Sequence, residues 1–453
     1  VIDALETAER AVAAAEADAA EAVVMAERSG FARFAASEVH QPTLVEDATL
    51  SLRVVRDGKV GLAATNDVGD EGLARLARRA AESADSAPAE DSFPGLAEPL
   101  PLPAVGGYDE ELAALGPDDQ ARLAAAAIEA SPFPVYGYVT SGVTGVAVAS
   151  SRGVRAEQQL TDATTVVLAA GEAVSGWAER TSWRAAELDP AAVGREAGET
   201  AARTRGARGL DPGRYAAVLE RYAIGELLLY FSLDSLNGLG LLEERSYFSG
   251  RLGEQVFDSR FSIADDALDP AGLPKGFDFE GVPKRRIPLV ENGVARGVVW
   301  DRETAARAGN GQVSTGHAPA PLEREWGPQA LALSVAGGEA ESTEELAALV
   351  GDGIFVTRLH YLGIVDPREG VITGMTRDGT FRIRNGRLAE PLVNLRFTVS
   401  VPELLREVPG LTREPVVVNT NDFYGARYPF GVITPALATA AFNVTGTGSA
   451  PGV

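Results

Sequence analysis

Apolar positions recur at two different periods along the 453-residue chain, and each change of period marks a new element. Over residues 3–20, Leu5, Ala8, Val12, Ala15 and Ala19 return every three or four positions, with Glu6, Glu9, Arg10 and Glu16 on other faces. That spacing predicts an amphipathic helix, with Asp3 placed as its N-cap. The period then drops to two. Residues 21–28 and 31–40 read as strands meeting at Ser29-Gly30. Leu50, Leu52 and Val54 alternate with Ser51, Arg53 and Val55, and Asp57-Gly58 supplies a hairpin turn into a return strand over 59–65. A helix follows over about 70–85, with Leu73, Leu76 and Ala80 facing inward.

The pattern divides the chain into units. Residues 1–86 form an N-terminal α/β domain, and 87–106 a Pro-rich linker or surface strap carrying Pro88, Pro94, Pro99, Pro101 and Pro103. Residues 107–206 form a middle α/β unit: a helix over 110–131, strands over 135–150 and 164–170 with a Ser151-Arg152-Gly153 turn, and a helix over 188–205. A Gly-Pro join (Gly206, Gly209, Pro212, Gly213) opens a β-rich C-terminal domain over 207–453. It starts with a strand over 215–219 and an apolar helix over 224–233, buried on most faces. Strands 287–290 and 294–300 flank Glu291-Asn292-Gly293, and 381–384 and 387–388 flank Asn385-Gly386; Asn-Gly suits such hairpins because it tolerates positive φ. Helices are expected at 302–308 and 342–351. The fold class is α+β.

Composition narrows the chemistry. The chain is 45% hydrophobic and 23% charged, as globular proteins are, and its net charge is −23. Such an acidic surface repels nucleic-acid phosphates, and the longest basic run is only Lys284-Arg285-Arg286. There is no cysteine, which removes disulfides, thiolate zinc sites and cysteine nucleophiles. The three histidines, His40, His317 and His360, are too far apart in sequence for a helical metal pair. No Gly-x-x-x-x-Gly-Lys phosphate loop occurs. No apolar run is long enough to span a membrane, and Glu6 and Glu9 replace the basic start of a secretory signal, so the expectation is a soluble cytoplasmic protein without membrane or nucleic-acid partners.

No complete catalytic set assembles from what remains. Asn66 to Gly72 lacks calcium-loop spacing and reads as a turn into a helix. Ser314-Thr315-Gly316-His317 sets hydroxyls beside a histidine, but neighbours in sequence do not ensure the geometry of a nucleophile and its base. His360 is expected on or just after a strand, and His40 to be structural. Gly238-Leu239-Gly240 lacks the third glycine of a dinucleotide loop. The acidic pairs Glu243-Glu244 and Asp265-Asp266 read as solvated loops.

Several strings, in order, resemble one family: Arg33-Phe34-Ala35-Ala36-Ser37-Glu38, then Arg56-Asp57-Gly58-Lys59-Val60-Gly61, Phe279-Glu280-Gly281-Val282-Pro283, Glu291-Asn292-Gly293, Ser314-Thr315-Gly316 and Ile372-Thr373-Gly374. Together they resemble the TldD/PmbA family of peptidase subunits. The resemblance implies two kinds of chain. TldD carries a His-Glu-x-x-x-His zinc motif on a helix early in the third unit, and a cysteine near the C-terminus can complete the metal site. Its TldE (PmbA-like) partner lacks the motif, and the two form a heterodimer around a chamber that trims unfolded or leader peptides.

Here the corresponding helix, from Gly225 to Ser235, has no histidine; Leu229, Tyr230, Phe231, Asp234 and Ser235 stand along the degenerate motif. The chain is therefore similar to the metal-free subunit. It is expected to carry no metal or catalytic residue of its own, with zinc supplied by a TldD-like paralogue that bears the motif. The resemblance makes Ser314, Thr315, Gly316, His317, Asn421, Asp422, Tyr424 and Arg427 candidates for facing the substrate chamber. After Ser-Thr-Gly the family usually has asparagine, where this chain has His317. Two alternatives stay open: a metal-independent hydrolase using Ser314 or Ser232 with His317 or His360, and a non-catalytic, homodimeric peptide-binding assembly protein.

Overall fold

A computed structural model describes residues 2–89, 92–420 and 427–452. The first unit runs α1 (Ala4–Ala13), β1 (Ala19–Ala35), β2 (Glu38–Arg56), β3 (Lys59–Thr65) and α2 (Asp70–Ser86). The Asp3 carboxylate caps α1 by accepting from the Glu6 N–H at 2.8 Å, and the helix stops at Ala13, short of the predicted 20. Ser29-Gly30 is not a turn. Both residues lie inside β1, opposite Gly142 and Ser141, because β1 is laddered on both sides and its backbone groups are satisfied without turning. The chain reverses instead at Ala36 and Ser37, whose φ angles are 50° and 66°. Asp57-Gly58 makes the expected hairpin, with φ of 50° and 72°.

The middle unit runs α3 (Glu110–Ala113), α4 (Pro117–Glu129), β4 (Val135–Ser150), β5 (Arg155–Gly171), β6 (Val174–Ser182) and α5 (Pro190–Arg203). The single helix expected over 110–131 is broken at Gly116-Pro117, since proline starts a helix easily but cannot continue one. β5 begins at Arg155, well before the predicted 164, because polar residues pair along the whole length of β4.

Both units contribute to one antiparallel sheet of order β3-β2-β1-β4-β5-β6. Period-two patterning gives it two different faces. Ala22, Val24, Ala32 and Phe34 meet helices α1, α2, α4 and α5 on one side. Val23, Met25, Val146 and Val148 meet Phe277 and Phe279 of the third unit on the other. The described part of the Pro-rich segment is a pinned strap: Leu96 and Ala97 are buried, and Arg302 Nη2 donates to the Gly95 and Leu96 carbonyls at 3.1 Å each.

The third unit begins with β7 (Gly213–Leu219), α6 (Arg221–Ser235), α7 (Gly238–Leu242), β8 (Ile263–Asp265), β9 (Ile287–Glu291), β10 (Val294–Ala295), α8 (Arg302–Ala308), β11 (Leu333–Val335) and α9 (Thr343–Val350). It continues through β12 (Gly353–Asp366), β13 (Val371–Arg384), β14 (Arg387–Leu392), β15 (Leu395–Ser400), α10 (Val401–Leu404), β16 (Gly410–Leu411), β17 (Val416–Asn419), β18 (Gly431–Thr434) and β19 (Leu437–Thr447). Strands β12, β7, β19, β15 and β13 pair in that order, and β13 pairs back to β12, closing a barrel. A second sheet has the order β10-β9-β8-β11-β18-β17. The predicted strand over 294–300 shortens to Val294–Ala295, because the N–H groups of Arg296 and Gly297 turn to the Leu289 carbonyl. Asn292-Gly293 and Asn385-Gly386 turn as expected, all four at positive φ. Between barrel and second sheet lies α6, whose Ile224, Leu227, Leu228 and Phe231 enter a core with Phe248, Phe257, Phe397 and Phe442. No helix among the described residues is long and apolar enough to cross a membrane.

Arg427 fastens the third unit to the shared sheet. Its Nη2 lies 2.5 Å and its Nε 2.8 Å from the Asp162 carboxylate, while Nη1 donates to Thr140 Oγ1 at 2.8 Å. Its backbone N–H donates to Glu27 Oε2 at 3.1 Å, and its carbonyl accepts from the Thr144 hydroxyl at 3.1 Å. A two-pronged pair this deeply buried leaves an uncompensated charge if one partner is lost. Arg427→Ala is therefore expected to cost about 3–5 kcal/mol in urea unfolding, with Arg427→Lys intermediate. A loss below about 1 kcal/mol, the range of an exposed pair, would contradict the clasp.

Candidate functional site

Where the third unit covers the sheet, the two surfaces leave a cavity of about 910 Å³. Met25, Tyr138, Val166, Trp177 and Glu179 face it from β1, β4, β5 and β6. From the third unit come Tyr222, Glu226, Leu229, Tyr230, Ser232 and Leu233 of α6, Arg358 of β12, and Val418 and Asn419 of β17. A largely apolar hollow with a few convergent polar groups is the usual form of a ligand site.

The floor is α6, the helix on which the family resemblance would place zinc. Gly225-Glu226-Leu227-Leu228-Leu229-Tyr230 keeps the spacing of His-Glu-x-x-x-His, with glycine and tyrosine at the two imidazole positions. Backbone packing reinforces the substitution. A Cβ on Gly225 would lie 3.0 Å from Val418 Cβ and Cγ1, so a side chain there would crowd β17. These residues do not fit a tetrahedral zinc ion, which takes imidazole, thiolate or carboxylate donors. Among the described residues no cluster of three or more His, Cys, Asp or Glu side chains could hold a metal.

Electrostatics in the cavity are unusual for carboxylates. Burial raises Glu179 to about 8, even though the Asn419 N–H donates to its Oε1 at 2.7 Å and Arg221 and Arg358 attract its charge. Burial likewise raises Glu226 to about 7 against the attraction of Arg358. The Arg358 guanidinium lies over the Trp177 ring, 3.8 Å from its centroid. Tyr222 OH donates to Glu196 Oε1 at 2.9 Å and accepts from Arg221 Nη2 at 2.7 Å. The cavity thus offers two carboxyl groups that can gain or lose a proton near neutrality.

The residues singled out from sequence fall in several places. Leu229 and Tyr230 line the cavity; Phe231 turns into the core, Asp234 pairs with Arg245, and Ser235 is buried. Ser314, Thr315, Gly316 and His317 are not among the lining residues. Their loop is fastened behind the wall: His317 Nε2 is 2.8 Å from Asp265 Oδ1, and its Nδ1 is 2.9 Å from Thr315 Oγ1. Thr315 Oγ1 also accepts from the Trp300 N–H at 2.7 Å, and Gly316, at φ 79°, passes close to the Pro283 carbonyl. Asp265 is thereby a correction, since it is fully buried rather than in a solvated loop. Burial opposes its charge, but His317, Lys284 and the Ala332 N–H outweigh that and hold it down at about 2.

Arg427 is the clasp described above. Asn421, Asp422 and Tyr424 lie outside the described residues. Ser232 Oγ donates to the Leu229 carbonyl at 2.7 Å and Ser314 Oγ to the Trp300 carbonyl at 3.3 Å, so neither hydroxyl is directed at a histidine. His360 lies on β12 with Nδ1 3.3 Å from Arg358 Nη2, and burial with the Arg358 and Arg377 charges pushes it down to about 4. His40 is exposed on β2. Sequence reasoning missed Glu226, which motif spacing marks directly. It also missed Glu179, Trp177 and Arg358, which no local pattern connects.

Comparison with known proteins identifies the fold. Residues 212–446 match the PmbA/TldA metallopeptidase C-terminal domain, 20–84 match domain 1, and 110–205 match the central domain. The chain belongs to the PmbA/TldD metallopeptidase family, and its three-domain α+β fold is that family's. TldE from Thermococcus kodakarensis superposes with a TM-score of 0.84 at 20% identity, covering 98% of this chain and 99% of that one, so the fold is shared. A metalloprotease of Methanothermobacter thermautotrophicus is 27% identical over 222 residues, 48% of this chain and 47% of that protein. A metalloprotease TldD homolog of Haemophilus influenzae is 26% identical over 214 residues, 45% of this chain and 42% of that protein. The chain spans less than half the length of either relative in these matches.

The raised carboxyl groups set a pH dependence. A carboxyl that holds its proton more tightly folded than unfolded stabilises the fold below its unfolded value, and that contribution fades as pH rises through the folded one. Glu179 and Glu226 should therefore lower the melting temperature progressively from about pH 4.5 to 8. The Glu179→Gln/Glu226→Gln double variant should flatten that slope and melt higher than the parent at pH 9. An unchanged slope would show that the two side chains are not held neutral by burial.

Proposed function

We propose that this chain is the non-metal, TldE/PmbA-like subunit of a two-chain TldD/TldE zinc peptidase, acting in the cytoplasm on unfolded or leader peptides, including those of maturing peptide natural products. The observation that carries the reading is the cavity floor. Helix α6 keeps the spacing of the zinc motif and turns its side of Glu226 and Tyr230 into the cavity, while a glycine, packed tightly on Val418, stands at the first imidazole position. A chain built this way closes a chamber and holds substrate, and a partner bearing His-Glu-x-x-x-His brings the metal and the bond-breaking chemistry. Its own residues bind and orient. Gln329 and the carboxyls of Glu179 and Glu226 would hydrogen-bond an extended peptide backbone, and the aromatic wall would cover apolar side chains. The reading as a stand-alone hydrolase gains no support from Ser232 and Ser314, whose hydroxyls are engaged by carbonyls.

The test is co-expression with a paralogue that carries the zinc motif. The expected outcome is a stable heterodimer that cleaves an unfolded peptide, is silenced by a chelator and is restored by zinc, with no cleavage by this chain alone. Failure to form a complex or to cleave with any such paralogue would overturn it.

A further inference from the structure

We propose that the cavity takes the cationic side chain of a lysine or arginine in the bound peptide, held between Glu179 and Glu226 and enclosed by aromatic rings. This rests on the subunit reading and names the kind of peptide it would accept. The first argument is charge balance. Among the described lining residues, Arg358 is the one cation, set against Glu179, Glu226 and Glu323. Arg358 is itself shared with Asp378, whose Oδ2 is 3.7 Å from its Nε, and it is fixed flat on Trp177. Of the cations just behind the walls, Arg221 is engaged by Glu220 at 2.6 Å and Glu196 at 2.8 Å, and Lys275, over the Tyr428 ring, donates to the Leu273 carbonyl at 2.9 Å.

The second argument is an unfilled requirement. The Glu226 side chain makes no hydrogen bond or close ion pair with any described residue, and Arg358 only attracts it at longer range, although it is largely withdrawn from water and opens into the cavity. A buried carboxylate without a partner is costly, and an incoming cation supplies one. The third is the wall itself. Trp177, Tyr222, Tyr230 and Trp326 line the same space, and aromatic faces attract alkylammonium and guanidinium groups. Glu179 of β6 and Glu226 of α6 open into the same cavity and lie close enough for the Glu226 charge to act on Glu179, so one cation entering there can serve both.

Isothermal titration of the purified full chain tests this with three N-acetylated, C-amidated pentapeptides that differ only at the central position: lysine, ε-acetyl-lysine and glutamate. The lysine peptide is expected to bind at least about ten-fold more tightly than the other two. Glu226→Gln should remove most of that preference, and Glu179→Gln part of it, with both variants melting cooperatively. The comparison of lysine with ε-acetyl-lysine needs no variant, so a folding defect cannot mask the answer. Equal affinity for all three peptides, or a lysine preference that survives both substitutions, would overturn the proposal. Zinc-dependent cleavage by the heterodimer with no preference for basic peptides would also overturn it while leaving the subunit reading intact.

Discussion

Helix α6 and strand β17 touch at Gly225 and Val418, and what α6 presents to the cavity depends on that approach. A Cβ on residue 225 would lie 3.0 Å from the Val418 side chain, tighter than an ordinary contact. Because the interior is close-packed, a larger residue there would have to push the Val418 side chain aside, and β17 is tied to β18 in the second sheet and to β6 through the Asn419–Glu179 hydrogen bond. The constraint therefore decides which side chains α6 can offer. The two imidazole positions of a zinc motif are held by a glycine with no side chain and a tyrosine, while Glu226 between them still opens into the cavity.

The cavity exists because two independently built surfaces are clamped at a distance. One is the continuous sheet formed by the first and middle units, with its helices all on the far face. The other is the barrel and second sheet of the third unit. Arg427 reaches across to Asp162 and Thr140, and Arg53 of β2 meets both Glu21 of β1, at 2.6 Å, and Glu280 of the third unit, at 3.0 Å. Buried ion pairs of this kind add little net stability over apolar packing but make a wrong arrangement costly. Here they fix the separation and register of the walls. The His317–Asp265 pair does the same within the third unit, holding the Ser314–His317 loop against Trp300.

Much of the fold was legible from local pattern. The Asp-Gly and Asn-Gly hairpins at 57–58, 292–293 and 385–386 form because these residue types accept positive φ, which is a local property. The capped start of α1 and the buried helix over 224–233 were readable for the same reason. The errors came where tertiary pairing overrode local signal. Ser29-Gly30 looks like a turn, yet it runs straight through because strands on both sides claim its backbone groups. Asp265 looks like one of many solvated acids, and the return of His317 from 52 residues away, together with Lys284 and the Ala332 N–H, favours a buried anion there. The family was visible in ordered short strings. The cavity was only partly visible: Leu229 and Tyr230 were named along the degenerate motif, Glu226 was passed over although the motif spacing marks it, and Glu179, Trp177 and Arg358 meet them through the packing of separate units.

The central claim is that α6 cannot hold zinc as it stands, and metal binding tests it most directly. Equilibrium dialysis of the purified full chain against micromolar zinc, followed by elemental analysis, should leave well under one equivalent of tightly held metal, and Glu226→Gln should not change that. One equivalent retained by the isolated chain and lost in Glu226→Gln would mean that α6 binds the ion after all, and the account would be wrong.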